Sequence, residues 1–186
     1  MANLIRCKAC GYITYEGNIK DACPACGVPA KMFEPYTDPL SEKRRRIIDL
    51  HSHPIIVHFP QAFALTLFIL AVLFFIAPLQ IKDALCYTMK VLSFFLPFFV
   101  VLSFLTGLLD GKTRFRKVST PILKKKIIIG LIFFITSIAL AALAFTKQFP
   151  STPMLEYFTL LTIIAAGCTV SLGFIGGRLA EAKFPG

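Results

Sequence analysis

The chain is expected to fold as a small metal-bound module joined to an all-α four-helix transmembrane bundle. Three observations lead there. Four cysteines lie near the start as two CxxC pairs, Cys7-x-x-Cys10 and Cys23-x-x-Cys26. Four apolar runs of membrane-crossing length follow them. The 186 residues are 56% hydrophobic and only 16% charged, with a mean hydropathy of +0.72, which is more apolar than a soluble domain of this size requires.

Two intervening residues let a tight turn aim both sulfurs of a CxxC pair at one centre, and two such knuckles complete a tetrahedral thiolate site for zinc or iron. Gly11 and Gly27 follow the knuckles, where a left-handed residue turns backbone N–H groups toward sulfur. Pro24 restricts φ inside the second knuckle. Tyr12, Ile13, Tyr15 and Phe33 are expected to form an apolar lid over the centre. A module of about 36 residues cannot bury a sufficient core alone, and a bound metal supplies the missing folding energy. Paired disulfides are disfavoured, because this spacing reads as a metal or redox site.

The run Cys10-Gly11-Tyr12, the twelve residues from Gly11 to Ala22, the CPACG of Cys23–Gly27 and the Phe33-Glu34 pair together resemble rubredoxin. The short spacer is most like the rubredoxin domain of rubrerythrins, and the resemblance covers residues 3–36. It implies a β-rich module with one iron held by Cys7, Cys10, Cys23 and Cys26, cycling between ferric and ferrous. Ile5 stands where that family often has an aromatic residue, a difference of packing and not of ligation. A zinc ribbon has the same cysteine spacing and is the alternative.

Residues 37–54 read as a basic linker, with Pro35 and Pro39 ahead of the run Lys43–Arg46 and Ser41 placed to cap a short helix. The membrane domain is expected over residues 55–180, with spans at about 55–79, 91–109, 127–146 and 155–176. Each has the ~17–25 residues a helix needs to cross a bilayer, and nothing alternates with the period of a barrel strand. Pro97 falls mid-span and is expected to kink the second helix. Gly173 and Gly177 permit close helix approach, as bundle packing or as a homodimer face. Cys86 and Cys168 read as small apolar residues.

The formal charge of +10 is unevenly spread. In residues 1–38 Arg6, Lys8, Lys20 and Lys31 are balanced by Glu16, Asp21, Glu34 and Asp38. The excess flanks the apolar runs, a pattern of topology and lipid contact with no nucleic-acid footprint. Lys43–Arg46 precede span one. Lys112, Arg114, Arg116, Lys117 and Lys124–Lys126 join spans two and three, and Arg178 and Lys183 follow span four. The opposite side has Lys82, Lys90 and Lys147. The positive-inside rule then places both termini and the metal module in the cytoplasm, on a bacterial or archaeal inner membrane. The chain opens directly into the cysteine site, so no signal peptide is expected.

All three histidines, His51, His53 and His58, fall within eight residues. The segment HPIIVHFP, Thr106-Gly107 and Asp110 at the end of span two, and Gly176-Gly177 at the end of span four resemble an uncharacterised family of bacterial four-span membrane proteins, over residues 51–180. Lys124–Lys126 and Lys183 stand where members often have further histidines. With both termini inside, His58, Asp110, Lys124–Lys126 and Arg178 belong to one membrane face. His53, His58 and Asp110 are candidates for a haem b or quinone site. An ionisable group within a span is a functional candidate by default, and His58 with Asp110 beside it suits quinone protonation. If the segment is helical, His51 and His58 lie about 10 Å apart along the axis, too far to flank one haem iron. A second haem ligand would come from another residue type or a second protomer. The structural alternative has His53 at an interfacial helix start and His58 hydrogen-bonding across the bundle.

The sequence therefore reads as a membrane-tethered one-electron carrier at the cytoplasmic face, exchanging electrons with a redox protein, a quinone or a haem. The reading from another class is a zinc-ribbon membrane protein with a structural or regulatory role. No nucleophile–base set and no phosphate-binding glycine loop is visible, so no enzymatic activity is assigned.

Overall fold

The computed structural model describes residues 3–38, 41–115 and 120–180. Pro39, Arg116, Lys117 and Lys183 lie outside the described residues. The chain divides into an amino-terminal unit that reaches Arg45 and a helical unit, Arg46–Gly176.

The amino-terminal unit is built on three short antiparallel strands, β1 (Leu4–Cys7), β2 (Ile13–Tyr15) and β3 (Phe33–Pro35), in the order β2-β1-β3. Register pairs Ile5 with both Thr14 and Pro35, and Cys7 with Phe33. Single 3-10 turns at Glu16–Asn18 and Ala30–Met32 shape the excursions between strands. The sheet buries little, and the module is β-rich in the way the resemblance implied. The expected apolar lid does not form as drawn. Tyr12 and Ile13 are 38% exposed and Tyr15 is 51% exposed, while the inward residue of β2 is Thr14, whose hydroxyl accepts from the Asn18 amide at 3.3 Å. For Ile13 and Tyr15 the pleat decides this, since alternate side chains of a strand face opposite sides; Tyr12 precedes β2.

Helix α1 (Glu42–Asp49) follows, where the Arg45 N–H donates to the Ser41 carbonyl and the Arg45 guanidinium donates to Asp38 at 2.5 Å. Four long helices follow among the described residues: α2 (Ser52–Ile76), α3 (Leu79–Phe115), α4 (Pro121–Ala144) and α5 (Thr152–Ala180). All four are long and apolar enough to cross a membrane. The first apolar run is cut short by Ala77 and Pro78, and α3 begins at once at Leu79. Lys82, Asp83 and Lys90 are thus helical. At 37 residues, α3 is about 55 Å long, well beyond the ~30 Å hydrocarbon core.

Each helix buries a narrow stripe. On α2 it is Pro60, Ala64, Leu67, Ala71 and Phe74. On α3 it is Cys86, Met89, Ser93, Leu96, Val100 and Ser103. On α5 it is Leu155, Phe158, Thr162, Ala165 and Thr169. Steps of three and four alternate, the period of left-handed helix packing. The stripes are rich in small and hydroxyl residues, while Phe94, Phe98, Ile128 and Ile135 point outward. That distribution suits lipid, where close backbone approach and van der Waals contact bring helices together.

Two prolines interrupt the helical ladders. Pro60 has no N–H to give the Ile56 carbonyl, and Ser103 of α3 donates to that carbonyl at 3.5 Å. A hydroxyl on a neighbour thus repairs the gap, as the absence of water demands. Helix α3 runs unbroken through Pro97, which frees the Ser93 carbonyl in the same way. Ser93 also brings a fully buried hydroxyl that has no hydrogen-bond partner among the described residues. Ser93→Ala is therefore expected to leave the bundle as stable or to stabilise it by about 1 kcal/mol, since it removes an unsatisfied group. Thermal unfolding in detergent checks this; a loss of stability would show that something unseen satisfies the hydroxyl.

Candidate metal centre

The two knuckles repeat one local design. The N–H of Cys7 donates to the Tyr12 carbonyl and the N–H of Gly11 returns to the Cys7 carbonyl, at 2.8 and 2.9 Å. The N–H of Cys23 donates to the Val28 carbonyl and the N–H of Gly27 returns to the Cys23 carbonyl, both at 2.8 Å. Closing each loop needs a left-handed residue after the second cysteine. Gly11 has φ of 74° and Gly27 of 76°, as the sequence led one to expect. A Cβ at Gly27 would meet nothing within 4 Å, so conformation alone requires glycine there.

The four sulfurs converge. Cys7 and Cys26 Sγ are 3.8 Å apart, Cys10 and Cys23 Sγ 3.7 Å, and all four lie within 4.8 Å of one another. A tetrahedron with metal–sulfur bonds of about 2.3 Å has an edge of about 3.8 Å, so the cluster has the size of a four-coordinate thiolate site. Cys7 and Cys23 are buried, Cys10 is partly covered and Cys26 is exposed.

Backbone N–H groups, not visible as a motif, complete the shell. Tyr12 donates to the Cys10 sulfur, Val28 to Cys26, and Ala25 and Cys26 to Cys23. The sulfurs divide their protons unequally. Burial pushes the Cys23 thiol up, but the Ala25 and Cys26 N–H groups and the neighbouring sulfurs outweigh it and bring it to about 7. The Tyr12 N–H pulls Cys10 down, yet burial and the other three sulfurs drive it to about 12. Four thiolates this close repel one another. A cation is what permits all four to ionise together.

The other candidate residues lie in the helical unit and are sorted by helix phase. His51 precedes α2 in a left-handed conformation (φ 49°) with Nδ1 against the Asp49 carbonyl. His58 is exposed and its Nδ1 lies 2.5 Å from the Pro54 carbonyl of its own helix, so it does not reach across the bundle. Asp110 is held by Arg114, whose Nε is 2.9 Å from both carboxylate oxygens, instead of by His58. The inward histidine is His53. Its Nδ1 is 3.4 Å from Thr106 Oγ1, and a Cβ on Gly107 would come within 2.9 Å of its ring. The cause is rotation: five residues separate His53 from His58, about 140° around a helix.

Residues 6–34 match the family model described as rubrerythrin, rubredoxin-like domain. No curated protein and no solved structure matches the chain. The amino-terminal residues thus form a rubredoxin-like domain with its four cysteines in one site, followed by four helices that fit a fused membrane region.

Removing one sulfur with Cys26→Ser is expected to abolish stoichiometric metal binding and to leave the module unfolded, because structural tetrathiolate binding supplies on the order of 10 kcal/mol of folding energy. Metal analysis with near-UV circular dichroism checks it. Gly27→Ala should still bind metal but lose about 1–2 kcal/mol to the left-handed backbone, read as metal release at lower chelator concentration.

Proposed function

We propose that the chain is a membrane-tethered one-electron carrier, in which Cys7, Cys10, Cys23 and Cys26 hold a single iron that supplies the ferric–ferrous couple. The observation that carries this reading is a rubredoxin-like domain whose sulfur spacing suits one four-coordinate ion, joined to four membrane-competent helices.

The chain's own groups would tune such a couple. Reduction adds negative charge to a thiolate cage. N–H groups of Tyr12, Ala25, Cys26 and Val28 aimed at sulfur favour the more negative state and raise the potential, whereas burial of Cys7 and Cys23 works against it. Exposed Cys26 gives the cage a side open to a partner. Covalent attachment to a membrane domain raises the effective concentration of this centre near a membrane partner without any new contact. The partner is a redox protein, a quinone or a haem, with His53, His58 and Asp110 the membrane residues considered for it. The positive-inside rule assigns both termini and the metal module to the cytoplasmic side, because the basic residues Lys43–Arg46, Lys112, Arg114 and Lys124–Lys126 flank the apolar runs before span one and between spans two and three in the sequence.

Protein purified from its native membrane should be red, contain one iron per chain and give a high-spin ferric EPR signal that dithionite removes. A colourless, zinc-containing native protein would remove the electron-transfer role and leave a zinc-ribbon membrane protein. The topology is checked separately: a green fluorescent protein fused to the amino terminus should fluoresce, and alkaline phosphatase at the same place should be inactive.

A further inference from the structure

One end of the helical unit gathers inward-facing polar groups that the metal site does not use. His53 and Gln61 come from α2, Thr106 and Asp110 from α3, and Lys126 from α4. Gly107 gives the His53 ring its place against α3, and a Cβ on Gly173 of α5 would come 3.2 Å from the Gln61 amide nitrogen. A Cβ on Gly176 would lie 3.8 Å from Lys126 Nζ. Lys126 is partly buried while Lys124 and Lys125 are exposed. Lys126 and Asp110 both stand close enough to act on His53 electrostatically. The Asp110 carboxylate is already engaged by Arg114.

The hydrogen bonding orients the imidazole. The Thr106 hydroxyl spends its single proton on its own helix, at 2.9 Å from the Leu102 carbonyl and 3.1 Å from that of Ser103. It can therefore only accept from His53, which places the proton of a neutral ring on Nδ1. A neutral imidazole has one N–H, so Nε2 keeps a lone pair. The site thus pairs an acceptor, His53 Nε2, with a donor, Lys126 Nζ.

We propose that this bundle end binds the head group of a lipid-soluble para-quinone and its quinol, with His53 and Lys126 as the contacting side chains and Thr106 and Gly107 as positioning residues. The chemistry selects this occupant. A quinone carbonyl accepts from the ammonium, and a quinol hydroxyl donates to Nε2. A phospholipid phosphate offers only acceptors and would face the Nε2 lone pair with repulsion. A haem ligated by two imidazoles of one chain is not served, because His58 faces away from the bundle. The inference rests on the reading of the chain as an electron carrier for the partner's identity, but quinol binding itself needs no electron flow.

The test uses the full chain loaded with zinc, so that no electron transfer occurs, in nanodiscs of phosphatidylcholine. Its three histidines are labelled with nitrogen-15, and decylubiquinol is titrated in. Before addition, His53 should show one fixed tautomer with protonated Nδ1. On addition its Nε2 resonance should shift saturably, while those of His51 and His58 stay still. Thr106→Val should mix the tautomers in the free protein and weaken quinol binding about tenfold, the loss of roughly one hydrogen bond. Lys126→Gln should weaken binding of the oxidised decylubiquinone more than of the quinol. The proposal is overturned if no saturable shift appears, if His58 responds in place of His53, or if nanodiscs containing phosphatidylglycerol reproduce the shift without quinol. These results are independent of whether the native cysteine site holds iron, which metal analysis and EPR decide.

Discussion

Four sulfur atoms held within 4.8 Å of one another are the constraint on which the amino-terminal module depends. Their charges cannot coexist in so small a volume without a cation. The N–H donors are shared out unequally, two to Cys23 and one to Cys10, so one thiol becomes acidic while another becomes very weakly acidic. The sheet around them is too small to hold the cage against that repulsion. Folding and metal binding are therefore one event in physical terms. The two glycine-closed knuckles are the device that delivers sulfur at the required spacing, and the backbone N–H groups around them are what the polypeptide would contribute to the properties of an ion held there.

The helical unit answers a different constraint. Backbone polar groups within a bilayer need partners from the protein. The Ile56 carbonyl, released by Pro60, finds the Ser103 hydroxyl of the neighbouring helix. Small and hydroxyl residues therefore line the packed faces, and large aliphatic and aromatic residues face outward. At one end of this bundle the packed faces turn polar. His53, Thr106, Asp110 and Lys126 meet there, with glycines where side chains need room.

The four-cysteine site was legible because each knuckle is local. A CxxC spacing constrains a single turn, and Gly11 and Gly27 announce the backbone conformation that turn requires. The N–H donors of Tyr12 and Val28 had no signature, since every residue type but proline offers one. The apolar lid was misplaced for a related reason. Apolar character at Tyr12, Ile13 and Tyr15 suggested cover, but strand pairing put Thr14 inward and left Ile13 and Tyr15 exposed, and Tyr12 lies ahead of the strand.

The four apolar stretches and the cysteine site were set by the sequence alone, because hydropathy and ligand spacing act over lengths shorter than any tertiary contact. The rotation of each helix was not. In water one face of a helix is polar and marks itself; in lipid both faces are apolar, and no periodicity in hydropathy shows which one packs. Choosing His53 over His58 as the inward imidazole required helices locked against one another by shape, whereas the Asp110–Arg114 pair is a local contact one turn apart on α3. Only tertiary packing, through features such as the ring-sized gap at Gly107, supplies that phase.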